Sequence, residues 1–285
     1  MKIPAIVVTT SLILTSAAAF STPLWRVEGF SQPESALFDK QRDRIIVSNI
    51  DGHPAEADGQ GFLSLLSMQG EVIEHDWVTG LNAPKGMAIL GDELLVTDLT
   101  ELLVIDLDSA AIKTKIKVTG SLFLNDVTAS AQVAWITDLL GNALYQYSQG
   151  EVTLWLKDED LAHPNGVFLD DQRLIVGSWG KGLQDDFSTE HPGGLLQVSL
   201  DDKKITSLPG GGMLGNLDGV FRYKKTLITN DWLTGDVFVV DQDGELSTTF
   251  SFPAGLSDIS RAEELFLMPY MHEGAVEARS LNGFE

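Results

Sequence analysis

Residues 124–138 read LNDVTASAQVAWITD, and residues 164–178, forty positions later, read PNGVFLDDQRLIVGS. Each stretch opens on a short motif with Asn in second place and runs into an apolar segment. A turn follows, and a second apolar segment ends at Asp138 or Ser178, thirteen residues after its Asn. Two short β-rich runs joined by a turn describe an antiparallel strand pair. Working outward from these stretches, the same unit recurs at Pro33-Glu34-Ser35-Ala36, Pro84-Lys85-Gly86-Met87, Leu217-Asp218-Gly219-Val220 and Leu256-Ser257-Asp258-Ile259.

The second positions of the six motifs are Glu34, Lys85, Asn125, Asn165, Asp218 and Ser257, at intervals of 51, 40, 40, 53 and 39 residues. Polar inserts over 51–61 and 181–192 account for the two long intervals. A repeat averaging about 45 residues is the size of a four-stranded propeller blade. Thirteen residues after Lys85, Asn125, Asn165 and Asp218 stand Asp98, Asp138, Ser178 and Asp231; Ser257 leads likewise to Tyr270, and Glu34 reaches Asn49 after fifteen. A strand, a turn and a returning strand fit that separation, so both columns fall on the same face of the disc. The expected fold is all-β: a six-bladed β-propeller with four-stranded antiparallel blades around a central channel. The sixth unit is short of strands and the segment 24–30 has no partner in its own unit. The N-terminal strand is therefore expected to complete the last blade and close the ring.

Residues 20–285 read as a single propeller domain, and residues 1–19 as a secretory signal. Lys2 precedes a mainly apolar stretch over 3–14, and Ala17-Ala18-Ala19 offers a cleavage site before Phe20, with Ser21 as a second choice. No later segment approaches the length of a membrane-spanning helix. The expected location is periplasmic or secreted. Forty-one acidic against nineteen basic residues give a formal charge of −22, which repels nucleic acid and anionic membrane surfaces. The chain reads as a monomer that acts on a small molecule. With no cysteine, any metal must be held by oxygen or histidine.

The chemistry lies in the first column. Glu34, Asn125, Asn165 and Asp218 supply two carboxylates and two amide oxygens. Brought to one point on the axis they form an all-oxygen site of charge −2, suited to a hard cation such as Ca²⁺. Each Asn-Gly or Asp-Gly pair alone also reads as a turn; the shared register favours the cation. Lys85, in the same column, must point away, pair with Glu34 or Asp98, or clamp an anionic substrate group, and a structural ion pair is the first expectation. Asp98, Asp138 and Asp231 either orient the Asn ligands or bond the adjacent turn backbone. His163 and His272 are candidate proton relays at the mouth, and the inserts carrying His53 and His191 are a candidate lid. Gly210, Gly212 and Gly215 match a dinucleotide spacing, but no helix follows them.

Taken in order, these motifs resemble those of the senescence-marker-protein, gluconolactonase and luciferin-regenerating-enzyme family, whose members are six-bladed propellers with one divalent metal in the channel. The resemblance implies metal ligation by Glu34, Asn125, Asn165 and Asp218, with Ca²⁺ first and Mg²⁺, Mn²⁺ or Zn²⁺ as alternatives. It implies hydrolysis of lactones or related esters, with Asp218 as the candidate general base and Asn125 as a candidate substrate-binding residue; Lys85 departs from the family's pattern and is a candidate substrate-binding residue on its own chemistry. The alternative is a non-catalytic propeller that binds a small ligand or a protein around a structural metal.

Overall fold

Alternation along the second strand of each repeat decides how the units pack. In Arg44–Asn49, Ile45 and Val47 enter one apolar cluster while Ile46 enters the next. In Glu93–Asp98, Leu95 parts from Leu94 and Val96 in the same way, and in Arg173–Ser178 Ile175 parts from Leu174 and Val176. Both faces of each sheet are thus apolar and each needs a neighbour, which a ring of blades supplies.

The computed structural model describes residues 22–241 and 244–284. The signal segment 1–19 and its cleavage positions lie outside them. The chain forms six four-stranded antiparallel sheets in a ring, a six-bladed β-propeller. Six apolar clusters lie one between each pair of neighbouring blades. Among the described residues helix is confined to two single 3-10 turns, Glu159–Leu161 and Met271–Glu273. Among the described residues no helix is long and apolar enough to cross a membrane.

The ring closes as the missing strand requires. Trp25–Glu28 is the outermost strand of the last blade and pairs antiparallel with Ala275–Ser280. On the axis, Asp258 N–H donates to the Glu34 carbonyl at 3.0 Å and Ser35 Oγ to Asp258 Oδ2 at 2.6 Å, joining the last blade to the first.

One irregularity repeats. The innermost strands Pro33–Asp39, Pro84–Leu90, Leu124–Ala129, Pro164–Asp170 and Leu217–Tyr223 all lose register with the second strand between the first and fourth residues. Two residues there oppose one, a β-bulge that carries the first-column residue and its successor. The pairings that bracket it, such as Leu124 with Asp138 and Leu217 with Asp231, place both columns at the same end of the blades. Gly166 sits in one bulge, where a Cβ would lie 1.8 Å from the Asp218 carbonyl oxygen, so only glycine lets these inner strands approach. The second insert folds as a hairpin, Gly180–Leu183 against Thr189–Pro192.

Candidate functional site

The bulges bring Glu34, Lys85, Asn125, Asn165 and Asp218 to one cavity of about 210 Å³ at the axis. All five are buried, and Asn125, at 7% exposure, is the most open. Asn165 is fixed by its own amide: Nδ2 donates to Asp218 Oδ1 at 2.9 Å and to the Leu217 carbonyl at 3.2 Å. Among the described residues its Oδ1 has no partner, nor does Glu34 Oε2, although both atoms are fully buried. A buried oxygen without a donor costs roughly 1–3 kcal/mol. Two of them beside two further oxygen-bearing side chains fit a bound cation, which would satisfy both. No group of three or more His, Cys, Asp or Glu among the described residues forms such a cage, so the amides are essential to the donor set.

Electrostatics agree with that donor set. Burial, then the charges of Asp218 and Asp258, push the Glu34 carboxyl well above its ordinary range. Burial, then Asp258, do the same to Asp218. One residue further along stand Asp126, which is buried, and Asp258, which is half-buried. Asp126 is raised by burial and Asp258 is pushed up to about 6 for the same reason. Four carboxyls thus line the axis, three of them buried and Asp258 half-buried, with Lys85 as the neighbouring cation. Desolvated like charges of this kind either hold protons or take a cation.

Lys85 departs from the expected ion pair. Its Nζ donates to the carbonyls of Ala83 at 2.9 Å and Pro54 at 3.1 Å and lies 4.5 Å from the centre of the Phe123 ring. Burial lowers it to about 8, against the charges of Glu34 and Asp98. The Asp98 carboxylate is occupied elsewhere, accepting from the backbone N–H groups of Asn82 and Ala83. Asp138 likewise holds the N–H groups of Leu122, Phe123 and Gly141, and Asp231 holds that of Leu233. This column therefore pins the turns that lead into or out of the strands and does not touch the Asn ligands. His163 bonds the Leu139 carbonyl through Nδ1, and His272 packs on the Trp232 ring at 5.1 Å; neither lines the cavity.

Two further sets of residues shape the site, and of these only Trp179 and Trp232 stand out in the sequence as apolar neighbours of the mouth. Twelve positions after Lys85, Asn125 and Asp218 stand Thr97, Thr137 and Asn230, which tie each blade to the ligand position of the next. Thr97 Oγ1 donates to the Asn125 carbonyl, Thr137 Oγ1 to that of Asn165 at 2.6 Å, and Asn230 Nδ2 to those of Leu256 and Ser257. The second set is the cavity wall. Ile50, Leu139, Trp179, Trp232 and Met271 each follow directly on the second register column, a run of apolar residues that the polar columns beside it obscure. Both inserts reach the cavity, through Pro54 and through Asp186 and Phe187, so they cover this mouth as a lid. Trp179 Nε1 donates to the Phe187 carbonyl at 2.8 Å and holds the hairpin down.

No protein-family model matches the chain, and no curated protein matches it. Among solved structures it is similar to a gluconolactonase from Xanthomonas campestris, at 15% identity over 90% of this chain and 88% of that one, with a TM-score of 0.67. It is also similar to virginiamycin B lyase from Staphylococcus aureus, at 12% identity over 90% and 98% of the two chains, with a TM-score of 0.63. A chain of the nidogen/laminin complex matches at 18% identity over 77% and 80%, with a TM-score of 0.61. At these identities the likeness is one of fold, and it joins this chain to gluconolactonase and lyase propellers alike.

Proposed function

We propose that the protein is a metal-dependent hydrolase of lactones or related esters, with one divalent cation, Ca²⁺ in first place, held by Glu34, Asn125, Asn165 and Asp218. The observation that carries this reading is the pair of buried oxygens without donors, Glu34 Oε2 and Asn165 Oδ1, in the same cavity as Asp218 and Asn125. The fold is shared with a lyase and does not itself select hydrolysis. The all-oxygen donor set and the similarity to a gluconolactonase propeller favour it.

When bound, such a cation polarises a carbonyl oxygen and lowers the barrier to attack by water. Asn165 holds Asp218 Oδ1, which leaves Oδ2 to take a proton from the attacking water. Asn125, the most exposed of the four, orients the substrate. Lys85 has two N–H groups on carbonyls and a third for the substrate. The lid and the apolar wall exclude bulk water, which strengthens each of these interactions. The reading takes residues 1–19 as an export signal and places the activity in the periplasm or outside the cell.

The test is a screen of sugar lactones, acyl lactones, aryl esters and phosphotriesters with EDTA and calcium controls. Turnover that EDTA abolishes and calcium restores is expected for at least one lactone or ester class, and Asp218→Asn should lower kcat by roughly a hundredfold or more. Absence of metal-dependent turnover on every class returns the protein to the ligand-binding alternative. An Asp218→Asn protein with its metal and full activity removes Asp218 as the base.

A further inference from the structure

The cavity is built for more than its reacting end. Six consecutive blades carry an apolar residue directly after the second register column: Ile50, Leu99, Leu139, Trp179, Trp232 and Met271. All but Leu99 line the cavity. Phe123, two residues before Asn125, and Phe187, at the tip of the lid hairpin, complete an aromatic side. Trp179 and Trp232 lie 6.1 Å apart at 46°, and Phe123 and Phe187 6.3 Å apart at 51°. Phe187 remains 38% exposed at the tip of the hairpin, a large apolar surface that a ligand beneath the lid would cover.

The polar side chains outside the oxygen quartet are largely engaged, and the third N–H of Lys85 is the chief donor left for a ligand. Lys85 holds two carbonyls, and Trp179 Nε1 holds the Phe187 carbonyl. Asp186 Oδ1 accepts from the N–H and hydroxyl of Ser188. A polyhydroxylated sugar lactone brings several hydroxyls that must each find a partner here, and each one left without costs roughly 1–3 kcal/mol. An alkyl or aryl substituent faces no such cost and gains from burial against the wall. The cavity corresponds to about seven water volumes, enough for a single ring with a short substituent.

We infer that the substrate is a lactone or ester bearing a compact alkyl or aryl group, and not a sugar lactone. The reacting group rests on the hydrolase reading above; the apolar group rests on the collar and the lid tip.

A series of δ-lactones with alkyl substituents of increasing length, set against gluconolactone, tests this on the calcium-loaded full chain. The expected kcat/KM rises about fourfold per methylene until the cavity is filled and exceeds that for gluconolactone by at least about tenfold. Phe187→Ala and Trp232→Ala should flatten the rise, with calcium affinity by calorimetry unchanged. A flat series, or a preference for gluconolactone, overturns the inference and leaves the hydrolase reading standing. If no lactone is turned over, the hydrolase reading fails, and tryptophan fluorescence titrations with the matching non-hydrolysable lactams decide the ligand class. Tighter saturable binding of alkyl lactams supports the inference; tighter binding of the polyhydroxylated lactam, or binding of neither, overturns it.

Discussion

Thr137 shows how a residue that never reaches the cavity controls one that does. Its Oγ1 donates to the Asn165 carbonyl and accepts from the Asp126 N–H at 2.8 Å, so one hydroxyl sets the approach of two inner strands. Thr137→Val keeps the shape and removes the tie. Calcium affinity should fall roughly tenfold to a hundredfold, the range for lost supporting bonds around a metal ligand. Titration calorimetry checks it, and an unchanged affinity means that packing alone positions Asn165. At this scale the sequence was partly legible. The oxygen quartet stands in register because each blade repeats the same bulge, so the four positions could be picked out by counting. Lys85 could not be placed by counting, since its partners are the carbonyls of Ala83 and Pro54 and carbonyls carry no sequence signature.

Two elements decide access: the bulged inner strands below the cavity and the hairpin above it. The hairpin holds to the wall through Trp179 Nε1 and the Phe187 carbonyl, and at its root through Asn216 Nδ2, which donates to Trp179 O and Thr189 Oγ1. Trp179→Phe retains the ring packing and deletes the upper tether. Limited proteolysis within 184–188 should become faster while global stability falls by no more than about 1.5 kcal/mol; unchanged cleavage would mean that the tether does not hold the lid. The strand order, the pairing of the two columns and closure by Trp25–Glu28 follow from sequence, because period, turn chemistry and a missing strand leave one arrangement. The bulge does not follow, since a two-against-one pairing shows only when both strands are counted together. The collar was masked for another reason: apolar residues after strand ends read as ordinary core until their turns are seen to converge on the axis.

For the whole molecule, the −22 charge is chiefly solvated surface and keeps the protein dispersed. Its structural consequence lies on the axis. Asp258 is pushed up to about 6 by burial, and Glu34, Asp126 and Asp218 are raised with it. Unfolded carboxyls release their protons near pH 4, so above about pH 4 the metal-free fold binds more protons than the unfolded chain. Its stability therefore falls as pH rises through about 6 and beyond. A cation in the channel opposes this by favouring the ionised forms. Thermal melts between about pH 4 and about pH 7 should show EDTA-treated protein losing Tm with rising pH relative to calcium-loaded protein, the gap widening upward. Parallel profiles would place no cation among these carboxyls. Calorimetric titration of calcium into the EDTA-stripped full chain tests the channel site most directly. One saturable site per chain is expected, weakened on the order of a hundredfold or more by Glu34→Gln and by Asp218→Asn. No saturable binding, or binding that both substitutions leave unchanged, would contradict it.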